Sequence, residues 1–229
     1  MNAPEWQVLD EAELGWLGSV ALSSSYESGQ YIFYEGDKCD GIHFVCRGLI
    51  GVRKINADGD SVLMHMAEQG DPLGYRPFLD EKAYYSTAEA LQPSQLCFIG
   101  AKYLRDIFHR SPDFSFEFLR RASRDLGESR ERFHQAVSMD LRLRLAHFLL
   151  LMKERYGHVT HEGKLLIELP ISRRDMAEMI GVRSESLSRT IRQMTDEGVL
   201  TFSGHRVWID TADLLISEIR PGLDQYPRH

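Results

Sequence analysis

Apolar residues recur along this chain with two different periods, and the places where the period changes mark its elements. Leu14, Leu17, Val20 and Ala21 follow helical spacing, so Glu11 to Ala21 reads as a short amphipathic helix. From Ser28 the period drops to two and glycines punctuate it. Gly29–Gly36, Gly41–Gly48, Leu49–Ile55, Ser61–Met66, Ser86–Leu91 and Ser94–Ile99 read as strands, with turns at Asn56–Gly59 and Gly70–Gly74. Several short strands separated by glycines indicate an antiparallel barrel or jelly roll. After Gly100 the helical period returns. Ala101 to His109 is one helix, and Ser111 caps a long one with Pro112 at its first position. Along it, Phe114, Phe118, Ala122, Leu126, Ser129, Phe133 and Ala136 follow at steps of four and three, while Arg120, Arg121, Arg124 and Glu128 cover the rest. A seam this narrow on so polar a helix suits pairing with its own copy; the alternative is one helix of a monomeric core. Phe118, Ala122, Leu126, Ser129 and Phe133 are the expected dimer seam.

Ser138-Met139-Asp140 breaks the seam, and Asp140 caps a leucine-rich helix running to about Arg155. Tyr156–Gly163 reads as a turn and Leu165–Leu169 as a strand. Two short helices follow. Ser172 caps the first, which carries Met176, Ala177, Met179 and Ile180, and Gly181 stands where it ends and a positive φ is needed. The second has Leu187, Ile191 and Met194 on one face and Glu185, Ser188, Arg189 and Arg192 on the other. Gly198 to Asp210 alternates about a Ser203-Gly204 turn and reads as a β-hairpin. Helix, turn, helix and hairpin together make a winged helix-turn-helix, although a bland helical hairpin shows the same helix spacing. The fold class expected is α+β: a β-roll over 1–110, a dimerisation helix and hinge over 111–138, and a winged helix-turn-helix domain over 139–229.

Composition changes this picture in three ways. The hydrophobic fraction of 43% and charged fraction of 27% are those of an ordinary globular chain, with no apolar run long enough to span a bilayer and no secretory pattern in Met1–Asp10. A cytoplasmic protein is expected. Cys39, Cys46 and Cys97 are scattered, which speaks against a disulfide framework. The net charge of −7 is unusual for a DNA partner, but residues 139–229 hold 13 basic and 13 acidic side chains, so the whole excess lies in residues 1–138. From Ser172 to Arg192 five arginines face three acids, leaving a local basic strip, unless that strip is only a solvated helix face.

Roll, long helix, hinge and winged helix in this order resemble the Crp/Fnr family of bacterial transcription regulators over roughly residues 10–215. The residues that carry the resemblance are Gly29–Gly36, Gly41–Gly48, Gly70-Asp-Pro-Leu-Gly74, Arg105 through Ser111-Pro112, and Ser172–Met194. Glu185, Ser188 and Arg189 match the E-x-x-S-R pattern of the Fnr branch. The resemblance implies that Arg189 reads a guanine, that Glu185 accepts from a cytosine amine and that Ser188 tunes a neighbouring step. Both charged pairings are natural in the major groove. Ser184 stands where the Crp branch has a third, basic reader, so the implied half-site is TTGAT rather than TGTGA. Ser172, Arg173, Ser184 and Arg192 are expected at the DNA backbone, Arg173 at a phosphate-contacting position of the family. Arg183 stands where the family usually has a capping Ser or Thr; Ser184 is the alternative cap.

The sensor is less legible. In cyclic-AMP-binding members a glutamate grips the ribose and an Arg-Ser pair binds the phosphate. Here those places hold Tyr75, and Tyr85 followed by Ser86. Losing the arginine removes the bidentate part of phosphate recognition, so cyclic AMP is not expected. Tyr75, Arg76, Tyr85, Ser86 and Ser129 are the candidate effector residues. An iron–sulfur cluster of the Fnr type is not expected either, since no cysteine precedes Cys39. His43, His65, Cys46 and Cys97 are candidates for haem or redox sensing, and a small hydrophobic effector in a tyrosine-lined pocket is equally open. No nucleophile–base pair or phosphate loop points to an enzyme. The expected partners are double-stranded DNA, a second copy of the chain, RNA polymerase and a small-molecule effector, with no membrane. The competing reading is a sensor module that acts through protein partners.

Overall fold

The computed structural model describes residues 4–56 and 59–223. Residues 1–3, the Ala57-Asp58 tip of the Asn56–Gly59 turn and residues 224–229 lie outside them. The chain divides into two units, Met1–Gly127 and Glu128–His229. Among the described residues no helix is long and apolar enough to cross a membrane.

The first unit opens with α1 (Pro4–Gln7) and α2 (Glu11–Val20). Asp10 accepts from the Glu13 N–H while the Glu13 carboxylate accepts from the Asp10 N–H, a capping box that fixes where α2 begins. Then come β1 (Leu22–Tyr26), β2 (Tyr31–Phe33), β3 (Gly41–Arg47), β4 (Ile50–Ile55), β5 (Ser61–Ala67), β6 (Pro72–Leu73), α3 (Tyr75–Leu79), β7 (Thr87–Ala90), β8 (Ser94–Gly100) and α4 (Ala101–Arg110). Two antiparallel sheets result, in the orders β1-β8-β3-β6 and β2-β7-β4-β5. Val45, Ile50, Ala88, Ala90 and Leu96 are buried within the roll. Ile42 and Phe44 belong to a second cluster with Trp6, Leu17, Leu104 and Phe114.

Four local expectations needed correction. β1 lies before the point where strands were expected; its sequence is Leu-Ser-Ser-Ser-Tyr, it sits at a sheet edge, and it shows no apolar alternation. Gly29–Gly36 keeps only Tyr31–Phe33 as strand, because Gly29 and Gly36 both take positive φ and the Gly29 N–H turns to the Ala90 carbonyl at 2.7 Å. The Gly70–Gly74 turn contains β6, paired to His43 and Phe44, and leads straight into the unforeseen α3. The long helix α5 (Pro112–Ser138) begins at Pro112 as expected, but the residues of the expected seam do not share one environment. Phe118 is only 3% exposed, with the Phe108 and Phe114 rings 5.1 and 5.2 Å away. It is therefore a core residue of the first unit, not a dimer contact. One residue further, and so about 100° around the helix, Leu119 is 63% exposed, and Leu126 and Phe133 follow at steps of seven at 53% and 73%.

The second unit continues with α6 (Leu141–Tyr156), β9 (Gly157–Val159), β10 (Leu165–Glu168), α7 (Arg173–Ile180), α8 (Ser184–Asp196), β11 (Thr201–Ser203), β12 (Arg206–Ile209) and α9 (Ala212–Leu223). Asp140 caps α6 by accepting from the Leu143 N–H at 2.8 Å. The sheet order is β11-β12-β10-β9. β9 falls inside the expected Tyr156–Gly163 turn, and α9 was not foreseen; the wing turns at Gly204-His205, one residue later than expected.

Candidate nucleic-acid interface

α7 begins where its cap is complete. The Ser172 hydroxyl accepts from the Asp175 N–H at 3.0 Å and gives its proton to the Asp175 carboxylate at 2.7 Å, while that carboxylate also accepts from the Ser172 N–H. The hydroxyl is thereby engaged in the cap. At the other end Gly181 adopts φ 77, and the N–H groups of Gly181 and Val182 fold back on the last turn. The Arg144 guanidinium from α6 donates to the Ile180 carbonyl at 3.0 Å, a cation placed at the helix C-terminus. Met176, Ala177 and Ile180 are buried.

α8 starts at Ser184, with Arg183 at the N-cap position and no side-chain cap bond; Ser184 is the first helical residue rather than the cap. Leu187, Ile191 and Met194 are buried, which fixes the roll of the helix about its axis. Ser184, Glu185, Ser188, Arg189 and Arg192 are consequently exposed together. Among the described residues, none of the Glu185, Ser188, Arg189 or Arg192 side chains has a hydrogen-bond or ion-pair partner. The polar groups of this face are thus not used inside the fold. The far end of α8 is anchored. Arg142 of α6 pairs bidentately with Glu218 of α9, at 2.5 and 2.8 Å, and also with Glu197 at the end of α8.

The wing touches the start of α7. The Arg173 guanidinium lies 4.7 Å from the centre of the Phe202 ring on β11. The His205 carbonyl accepts from the Leu169 N–H at 2.8 Å, and the His205 Nδ1 sits 2.9 Å from the Ile171 carbonyl. Phe202 and His205 were not singled out by sequence reasoning. Phe202 was one apolar position in an alternating hairpin, and nothing local marked it as a partner of Arg173.

The candidate effector residues of the first unit make different contacts. Tyr75, on α3, is buried and its hydroxyl donates to Asp125 of α5. Burial, then this bond and the Asp125 charge, raise the Tyr75 pKa, so it stays a neutral donor. Arg76 and Tyr85 stack on the surface at 5.6 Å, and the Tyr85 hydroxyl donates to Asp80. Ser86 is half-buried beside Tyr85. Ser129 belongs to the second unit, where it accepts from Arg132 at 3.4 Å. A groove of about 350 Å³ in the first unit is lined by other residues, among them Trp6, Leu14, Leu17 and Ile99.

The residues considered for haem or redox chemistry lie in different surroundings. His43 is enclosed by the rings of Phe98, Phe33 and Tyr84, at 4.6, 5.6 and 6.5 Å, and burial lowers its pKa to about 4. That leaves a neutral imidazole near pH 7. Burial, with a hydrogen bond to the Cys97 thiol, pushes the Cys46 thiol up to about 12, far from a reactive thiolate. His65 lies exposed on β5, in the other sheet from His43. Among the described residues no group of three His, Cys, Asp or Glu side chains is placed to hold a metal ion.

Comparison with known proteins bears on both units. A family described as a cyclic nucleotide-binding domain matches residues 23–111, and one described as a Crp-like helix-turn-helix domain matches residues 143–217. The transcriptional activator protein FnrL of Cereibacter sphaeroides is 25% identical over 211 residues, covering 90% of this chain and 84% of that protein. The cAMP-activated global transcriptional regulator CRP of Pasteurella multocida is 22% identical over 195 residues, covering 85% of this chain and 92% of that one. Among solved structures, FixK2 of Bradyrhizobium japonicum gives a TM-score of 0.74 at 22% identity, covering 86% of this chain and 96% of that one, a likeness of fold.

Proposed function

This chain belongs to the Crp/Fnr family of DNA-binding transcription regulators, and from that premise we propose that it acts in the cytoplasm as a homodimer whose two α8 helices read a TTGAT-like palindrome under control of a signal received by the β-roll. The observation that carries this reading is the state of α8. Its apolar face is buried and its polar face is exposed and uncommitted. Arg189 donates bidentately to a guanine, Glu185 accepts from a cytosine amine, and Ser188 tunes the adjoining step. Ser184 and Arg192 meet the backbone; the uncapped N–H groups at Ser184 suit a phosphate. Arg173 takes a second phosphate at the start of α7.

Leu119, Ala122, Leu126, Ser129 and Phe133 form the dimer seam on α5, and a two-fold dimer matches a palindrome because each half-site meets an identical helix. The Tyr75–Asp125 bond joins α3 to α5 within the first unit. It supports a route by which an effector near α3 acts on the long helix. Tyrosines at the positions that grip ribose and phosphate in cyclic-AMP-binding members favour an effector of another class. RNA polymerase is the machinery on which the bound regulator acts.

Arg189→Ala tests the assignment. Specific binding to a TTGAT-type palindrome in a gel shift is expected to be lost, with the circular dichroism spectrum and the dimer unchanged. Discrimination between that palindrome and scrambled DNA equal to that of the unaltered protein would contradict the reading.

A further inference from the structure

We propose that Phe202 of the wing is a positioning residue for DNA binding, holding the Arg173 guanidinium in place at the start of α7 before DNA arrives. The proposal rests on the reading of Arg173 as a phosphate contact. Arg173 is exposed and, among the described residues, has no hydrogen-bond or ion-pair partner, while its neighbour Arg174 is paired to Glu178 at 3.0 Å. The Phe202 ring lies against the Arg173 head, 4.7 Å from ring centre to guanidinium carbon.

The ring is a fixed platform. Phe202 is half-buried on β11 and pairs with the buried Val207 of β12. The wing is tied to the chain entering α7 in three places: His205 carbonyl to Leu169 N–H at 2.8 Å, His205 Nδ1 at Ile171 carbonyl at 2.9 Å, and Arg206 to Glu168 at 2.9 Å. The Ser172–Asp175 capping box sets the backbone on the other side of Arg173. Both partners of the stack therefore belong to one braced corner.

Stacking suits an arginine that must still bind an anion. The ring interacts with the guanidinium face, and the N–H donors lie in the guanidinium plane, so the donors stay open to phosphate oxygens. A side chain already ordered loses less rotamer freedom on binding. An aliphatic residue at 202 would keep the packing but lack the ring's negative face. Because the contact is to phosphate, the gain is the same for every DNA sequence.

The test is a fluorescence-anisotropy titration of the full chain on a TTGAT-type palindrome and on a scrambled duplex, at several salt concentrations. Phe202→Leu is expected to weaken binding to both duplexes about two- to fivefold per subunit, with the protein still folded and its melting temperature lowered by no more than a few degrees. Phe202→Tyr should bind as the unaltered protein does, and Phe202→Met replaces the leucine variant if leucine disturbs the strand. Arg173→Ala should weaken both complexes and flatten the slope of log affinity against log salt by about 0.9 per lost contact. In the Arg173→Ala background, Phe202→Leu should have no further effect. If Phe202→Leu binds normally while Arg173→Ala does not, the positioning role is wrong and the phosphate contact stands. If Arg173→Ala leaves affinity and slope unchanged, the phosphate contact itself is wrong. If Phe202→Leu still weakens the Arg173→Ala protein, Phe202 acts through the wing and the proposal is overturned.

Discussion

Arg183 occupies the N-cap of α8 and supplies no side-chain acceptor to the helix it begins. A helix start leaves several N–H groups without intrahelical partners, and a serine or threonine there would satisfy one of them. Arg183→Ser is therefore expected to stabilise the protein by about 0.5–2 kcal/mol, read as a higher urea midpoint. An unchanged or lower midpoint would mean that those N–H groups already have partners. His43 makes a second prediction. Its folded pKa, about 4, lies below the ordinary 6.5 of an exposed imidazole, because burial disfavours the charged form. The unfolded chain then binds the proton more readily than the folded one. The stabilising difference is present above about pH 6.5 and is lost as pH falls towards 4, up to about 3 kcal/mol. His43→Leu should flatten the stability profile between those pH values. A profile as steep as that of the unaltered protein would place the acid sensitivity elsewhere.

At the scale of elements, α5 separates two jobs that one periodic pattern had merged. Phe114 and Phe118 close the core of the first unit, whereas Leu119, Leu126 and Phe133 stay exposed at heptad spacing. Leu126→Glu should leave the protomer folded and give a monomer in sedimentation equilibrium. Phe118→Ala should instead lower stability by about 3–5 kcal/mol through the cavity it leaves. A dimeric Leu126→Glu variant would place the interface on another surface. Leu126 and Phe133 are exposed as a seam would require, whereas Phe118 is buried. Phe118 and Leu119 are adjacent apolar residues, and spacing alone does not say which one a sheet covers. The same limit explains β1, whose Leu-Ser-Ser-Ser-Tyr strand is exposed along an edge and carries no alternation. Capped helices were easier to find. Asp140 and Ser172 mark α6 and α7 by local hydrogen bonds that need no tertiary partner.

Over the whole molecule, the output end was far more legible than the input end. Glu185, Ser188 and Arg189 lie within five residues of one helix, so their shared face follows from helical geometry alone. The residues proposed for the sensor depend on long-range packing. Tyr75 meets Asp125 fifty residues away, and Ser129 falls in the other unit from Tyr75. The overall charge of −7 is likewise compatible with DNA binding because the winged unit carries none of the excess. The central claim is that Arg189 reads the guanine of each half-site. It is tested most directly by titrating the unaltered protein and Arg189→Ala against two duplexes, the TTGAT-type palindrome and the same site with that guanine replaced in both halves. The unaltered protein should prefer the intact palindrome by at least about 1–3 kcal/mol, and Arg189→Ala should bind the two duplexes equally. Equal preference in both proteins would contradict the account.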